Sequence, residues 1–361
     1  MPRFPLLAPT LCLLLAVPLT GASGPAPATP QVGPSFSYGS PAFQDFGRTS
    51  YALSGMGGSF QDWLDAAYAR SGVPLGDAVG TPSLAAALDA RATAIRAASG
   101  AARVGLERDA ATWAHTFVKR SIPKFSLDRG FELANVVRTG ERQCLAQSVI
   151  IGALLQRAGM GAGAVMVWAN QKGFESNLGH VVTVVRLSSG SDLLVDASDP
   201  QPFMEHQGLL LRDSSGAYRF LKPVYAGDSS ITGYIRADGG QKLAVKDTSP
   251  LSLSYLQSQF DYYRGERAPG GVLSKSTPAG LEQSAVFLKR AIQEDAHNAL
   301  ATFVLGHVLR KQGLQQAARE QYQRAYRVYA AEGHVPAGVK DALSWARKPA
   351  LKALGKGGSG G

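Results

Sequence analysis

Cysteine is almost missing from this chain: there are two, Cys12 and Cys144, in 361 residues. That excludes a disulfide-stapled scaffold and a cysteine-pair zinc site. Charge is also sparse, at 18%. Lysines and arginines occur singly or in pairs, and no basic run carries interleaved aromatics. A nucleic-acid partner is therefore not expected, although the net charge of +10 suits anionic surfaces. Histidine is scarce as well. No His-Glu-x-x-His motif occurs, and His115, His206, His297, His307 and His334 show no metal-ligand spacing. No glycine-rich phosphate loop follows a strand. No metal and no cofactor are expected. Beyond the first residues, no apolar run is long enough to span a bilayer.

Hydrophobic residues make up 45% of the chain, and its length fits two modest domains with tails. Arg3, the apolar run Leu6–Leu19 and the small residues Thr20 to Ser23 read as a signal peptide over 1–22. The expected location is thus outside the cell, or in the periplasm or envelope. Cleavage would remove Cys12 and leave Cys144 as a lone thiol. Residues 23–50 are rich in Pro, Gly, Ser and Ala and read as a flexible linker.

Helical spacing follows from Ser59 to Arg120, with a helix start at Thr81-Pro82. A strongly apolar helix begins near Cys144 and ends at Gly159. The period then changes to two: strands are expected over Ala164–Trp168, His180–Leu187 and Leu193–Asp196, and near 208–211 and 218–222. From about Pro250 the pattern is helical again. Leu305, Gly306, Leu309, Gly313, Ala318, Tyr322 and Ala325 resemble one tetratricopeptide repeat. Ser284, Leu288 and Ala291 precede the last three by 34 residues, as the second helix of a repeat before it. A helix over Val339–Lys348 would cap this module of residues 250–355, and 356–361 form a tail. A plain helical hairpin fits the same residues, because a repeat needs neighbours to bury its face.

Cys144 opens the apolar helix, where the helix dipole favours a thiolate and free N–H groups can hold an oxyanion. A thiol nucleophile needs a base, and His180 begins a strand 36 residues later. A three-residue loop, Ser188-Ser189-Gly190, pairs Leu187 with Ser191 and sets Asp196 opposite Val182, diagonal to His180 on the same face. A carboxylate there can fix the imidazole tautomer. One more loop residue would bring Asp199 opposite His180 instead.

The runs Arg142-Gln143-Cys144, Leu155 to Met160, Gly179-His180-Val181-Val182 and Leu194 to Ser198 resemble the transglutaminase-like superfamily. The likeness covers roughly a quarter of the chain, about Ala110 to Phe203. It implies an α+β, papain-like core with a cysteine-bearing helix on an antiparallel sheet, over residues 51–240. It also implies Cys144 as nucleophile, His180 as base and Asp196, rather than Asp199, as the orienting acid. Where the family often has aromatics after the histidine and a Trp before the aspartate, this chain has Val181, Val182 and Leu194. The function implied is cysteine-dependent acyl transfer, with amide or peptide hydrolysis through a thioester. The expected substrate is a peptide or protein, with cell-wall peptide suggested by charge and address. The alternative is a non-catalytic scaffold whose helical module docks a protein partner.

Overall fold

The computed structural model describes residues 35–76 and 83–348. The expected signal peptide with Cys12, the expected helix start at Thr81-Pro82 and the residues from 349 lie outside the described residues. Four helices come first: α1 (Pro41–Leu53), α2 (Phe60–Ser71), α3 (Leu84–Ala97) and α4 (Gly100–Ser121). Ser40, Ser59 and Ser83 cap the first three, each hydroxyl accepting an N–H three residues on. The linker expected through residue 50 is therefore corrected from residue 35 onward. Phe36, Tyr38, Phe43 and Phe46 are buried, and that apolar area drives α1 onto the core. Then come β1 (Lys124–Phe125), α5 (Leu133–Thr139), β2 (Glu141–Arg142) and α6 (Cys144–Arg157).

Helix α6 is buried from Cys144 through Leu155, which its nearly all-apolar sequence requires. It lies against a sheet of β3 (Gly161–Ala169), β4 (Glu175–Arg186), β5 (Asp192–Val195), β6 (Gly208–Asp213), β7 (Tyr218–Tyr225) and β8 (Ile231–Arg236). The fold is α+β as expected, but the sheet closes. Its order runs β6-β3-β4-β5-β8-β7, and β7 pairs back onto β6, giving a six-stranded barrel. Alternation along the strands explains two cores. Val165, Val167, Val182, Val184, Leu194 and Leu209 fill the barrel. Met166, Val181, Val185, Leu193 and Leu210 face outward into the main core with α6. Short β9 (Lys242–Leu243) and β10 (Thr248–Ser249) pair with β8 and β6.

The β4–β5 hairpin has the register anticipated from its loop. Leu187 N–H reaches Ser191 O at 2.9 Å, Gly190 takes φ 86°, and Thr183 pairs with Val195.

The C-terminal part is all-helical: α7 (Leu253–Glu266), α8 (Pro278–Glu294), α9 (Ala299–Lys311), α10 (Gln315–Glu332) and α11 (Ala337–Arg347). The small–large order noted in the sequence has a steric cause. A Cβ at Gly306 would stand 2.5 Å from the Tyr322 ring, so α9 and α10 approach through that glycine. The helices do not sit apart from the α+β portion. One hydrophobic cluster runs from α6 and the sheet through Leu256, Phe260 and Tyr263 to Leu288, Leu305 and Val339.

Candidate active site

Cys144 is the first residue of α6. Gln143 caps the helix with an extended backbone (φ −136°, ψ 165°) while its Oε1 accepts Leu145 N–H at 3.3 Å. Two bonds pin α6 to β4: Ser148 Oγ donates to Val181 O at 3.0 Å, and Thr183 Oγ1 donates to Ser148 O at 3.1 Å. This fixes the distance between the helix start and the start of the valine run. His180 stands there, after Gly179 at φ 67°, a conformation suited to glycine. A Cβ at Gly179 would also meet Leu300 of α9 at 2.7 Å.

The structure brings Cys144, His180 and Asp196 together. His180 Nε2 is 2.8 Å from Asp196 Oδ2, and the His180 ring lies close enough to Cys144 to act on its thiol. Asp196 is 3% exposed and His180 24%. The carboxylate is held from every side. Its Oδ1 accepts Ser198 N–H at 2.8 Å and Gln147 Nε2 at 3.4 Å, and Oδ2 also meets His206 Nε2 at 3.1 Å. Arg142 Nε donates in turn to Gln147 Oε1 at 3.2 Å. Asp199 is elsewhere. Its carbonyl holds His115 and Lys119, and its carboxylate caps Gln201 N–H at 3.2 Å.

Electrostatics follow from these contacts. Burial pushes the Cys144 thiol up, but the His180 hydrogen bond and charge, with help from Tyr263 and Val181, bring it below its ordinary value. Burial pushes His180 down, and the bonds and charges of Asp196 and Cys144 outweigh it, raising it to about 10. Burial raises Asp196, yet His180 and His206 hold it well below the usual carboxylate range. The three shifts agree on one state: thiolate, imidazolium and carboxylate in a row. A thiolate in that state is a nucleophile beside a proton donor.

Two further residues belong to the site, and residue spacing missed both. Tyr263 of α7 places its hydroxyl 3.6 Å from Cys144 Sγ and donates to Gly179 O at 2.7 Å. It also bonds the Gln143 side chain. A hydroxyl has one proton, so it serves either the Gly179 carbonyl or the thiolate, not both. Tyr263 is fully buried, and Cys144 beneath it is 4% exposed. His206 is the other, buried ten residues beyond Asp196 with its ring 5.3 Å from that of His180. Gln147 did carry a signal: it is polar, one turn after Cys144, in a helix otherwise nearly all apolar.

Ligand atoms of His180, Asp196 and His206 lie within 4.8 Å of one another, close enough to share a cation. The outer contacts suit a metal poorly. A metal-bound imidazole usually hands its second nitrogen to an acceptor. His206 Nδ1 is buried with no partner.

No known protein family, curated protein or solved structure matches the chain. Among the described residues, no helix is long and apolar enough to cross a membrane.

Proposed function

We propose that the chain is a cysteine-dependent acyl-transfer enzyme of the transglutaminase-like, papain-like type, acting by amide or peptide hydrolysis through a thioester. The observation that carries this reading is the row Cys144–His180–Asp196, with the thiol at a helix N-terminus and the imidazole held by a buried carboxylate. A buried cysteine-bearing helix packed on β3 and on β4, which carries the histidine, with the aspartate just past the end of the neighbouring β5, supports the papain-like core.

The residues fit a balanced sequence of steps. The Cys144 thiolate attacks the amide carbon and a C–S bond forms. The oxygen gains charge near the first turn of α6, whose backbone N–H groups lack intrahelical partners. The C–N bond breaks as the His180 imidazolium gives its proton to the leaving amine. Neutral His180 then takes a proton from water, whose oxygen attacks the thioester; the C–O bond forms, the C–S bond breaks, and acid and thiolate are released. Asp196 keeps the ring oriented throughout. The apolar run at 6–19 and the basic charge support an exported protein working on peptide in the cell envelope.

A second reading is a scaffold that binds a partner through α8–α11. The cover of Tyr263 over Cys144 favours it, because substrate reaches sulfur only if α7 shifts. The test is labelling with an electrophilic activity probe and location of the adduct by mass spectrometry. The enzyme reading expects the adduct on Cys144, lost in His180→Ala, and a Cys144→Ser variant that folds but neither labels nor turns over peptide. A Cys144→Ser variant that keeps activity sinks the assignment.

A further inference from the structure

A cavity of about 50 Å³ lies between the barrel and the helical module. Five aromatic side chains line it, Trp168 and Phe220 from the barrel, Tyr255 from α7, Phe303 from α9 and Tyr329 from α10, and the rest of the wall is mainly aliphatic. One acid lines it, Glu332 at the C-terminal end of α10. Glu332 is 3% exposed, and neither carboxylate oxygen has a hydrogen-bond partner. A buried, unpartnered carboxyl is costly and therefore calls for an explanation.

The neighbours do not supply one. His297 Nδ1 is 3.9 Å from Glu332 Oε1, beyond hydrogen-bond reach, and its side chain is 59% exposed. Arg219 acts on Glu332 only through its charge; its guanidinium is ion-paired with Asp213 at 3.0 Å and donates to Ala331 O at 3.0 Å. Burial first, and then the charge of Asp295, push the Glu332 carboxyl well above the usual carboxylate range, so its charge is disfavoured unless a cation pairs with it. No side-chain donor reaches either carboxylate oxygen.

We propose that this cavity is a binding site for a primary alkylammonium group, with Glu332 as the counter-charge and the aromatic walls as the cradle. Three properties of the site select that ligand. The buried carboxyl lacks a donor, and an ammonium brings three. Ring faces attract a cation as well as covering an apolar stem. The volume limits the stem: benzene fills an apolar cavity of about 150 Å³, so a third of that admits only a short chain. Trp168 Nε1, also buried and without a partner, suits an oxygen carried on the ligand. The cavity reaches Gly179, next to His180, but ammonium binding does not require Cys144 to be reactive.

The probe is ethylammonium chloride, with ethanol as the neutral counterpart, followed by ligand-observed NMR on the full chain at matched ionic strength. Ethylammonium is expected to bind in the millimolar range, near the ceiling for three non-hydrogen atoms. Ethanol should bind at least tenfold more weakly. Glu332→Gln, which keeps the shape, should weaken ethylammonium at least tenfold without lowering the melting temperature. Leu300→Phe, which fills the cavity, should abolish binding even if Glu332→Gln fails to fold. Cys144→Ser should bind as the parent does. Equal binding of the two probes, an unaffected Glu332→Gln, binding retained in Leu300→Phe, or no ethylammonium binding overturns the proposal.

Discussion

Replacing His180 with Gln should raise the pH at which Cys144 becomes a nucleophile. Two opposed effects set that pH in the parent chain. Burial favours the neutral thiol, and the His180 hydrogen bond and charge favour the thiolate and win. His180→Gln removes the winning effect and leaves the burial. A hydrogen bond to a charged group contributes about 1.5–3 kcal/mol, and one pK unit is about 1.4 kcal/mol. The midpoint should therefore move up by at least about one pH unit, past that of an ordinary cysteine near 8.5.

The assay is iodoacetamide alkylation from pH 4 to 10, with the Cys144 adduct resolved by mass spectrometry. The midpoint is the proper readout, and the absolute rate is not. Each unit of lowered thiol pKa also cuts intrinsic nucleophilicity about threefold, and the thiol is covered. Both alter the rate at every pH and leave the midpoint alone. In the parent, thiolate is lost only as pH falls through its lowered value. The imidazolium persists until pH rises through about 10. The ion pair thus occupies the window between them. A parent midpoint at or above 8.5, or one unmoved by His180→Gln, would refute the argument from geometry to thiolate.

Asp196→Asn removes the carboxylate that two imidazoles share, and should cost about 3–5 kcal/mol in urea melts at pH 7. Because the folded-state carboxyl is held below its ordinary range, that stabilisation is complete above about pH 4 and fades as pH falls further, so parent and variant curves should converge in acid. Curves that stay parallel would show that the aspartate is not ionised in the fold. Tyr263→Ala should lose about 3–5 kcal/mol of stability yet alkylate Cys144 faster, since it uncovers the sulfur. Unchanged labelling would mean that α7 is not what limits access.

The part of the site legible in the sequence is the part joined by short connections. Gly190 in the left-handed region fixes a three-residue loop, the loop fixes the pairing of Leu187 with Ser191, and that register carries Asp196 to His180. Cys144 was legible because a polar start precedes an apolar helix. The closed barrel was not. Alternation tells which residues share a face, and says nothing about whether β7 returns to β6. The aromatic residues at 36–46 sit in a Pro- and Gly-rich stretch, so composition outvoted them, although their area was enough to order α1.

Tyr263 and His206 illustrate two different limits. Tyr263 is 119 residues from Cys144, on a helix buried on nearly every side; nothing local distinguishes it from a core tyrosine. Its contact depends on how α7 docks, which depends on Gly179 leaving room for Leu300 of α9. One glycine therefore serves the backbone turn before His180 and the approach of the helices that cover the thiol. His206 is only ten residues from Asp196, but it lies between β5 and β6, where no period orders the chain. It has no ligand spacing in the sequence. Spacing is the wrong criterion for it, since it supports a carboxylate from a loop rather than from a shared helix face. The useful sign was chemical: a deeply buried carboxylate must be matched by donors, and an aspartate facing only one imidazole would have been underfilled.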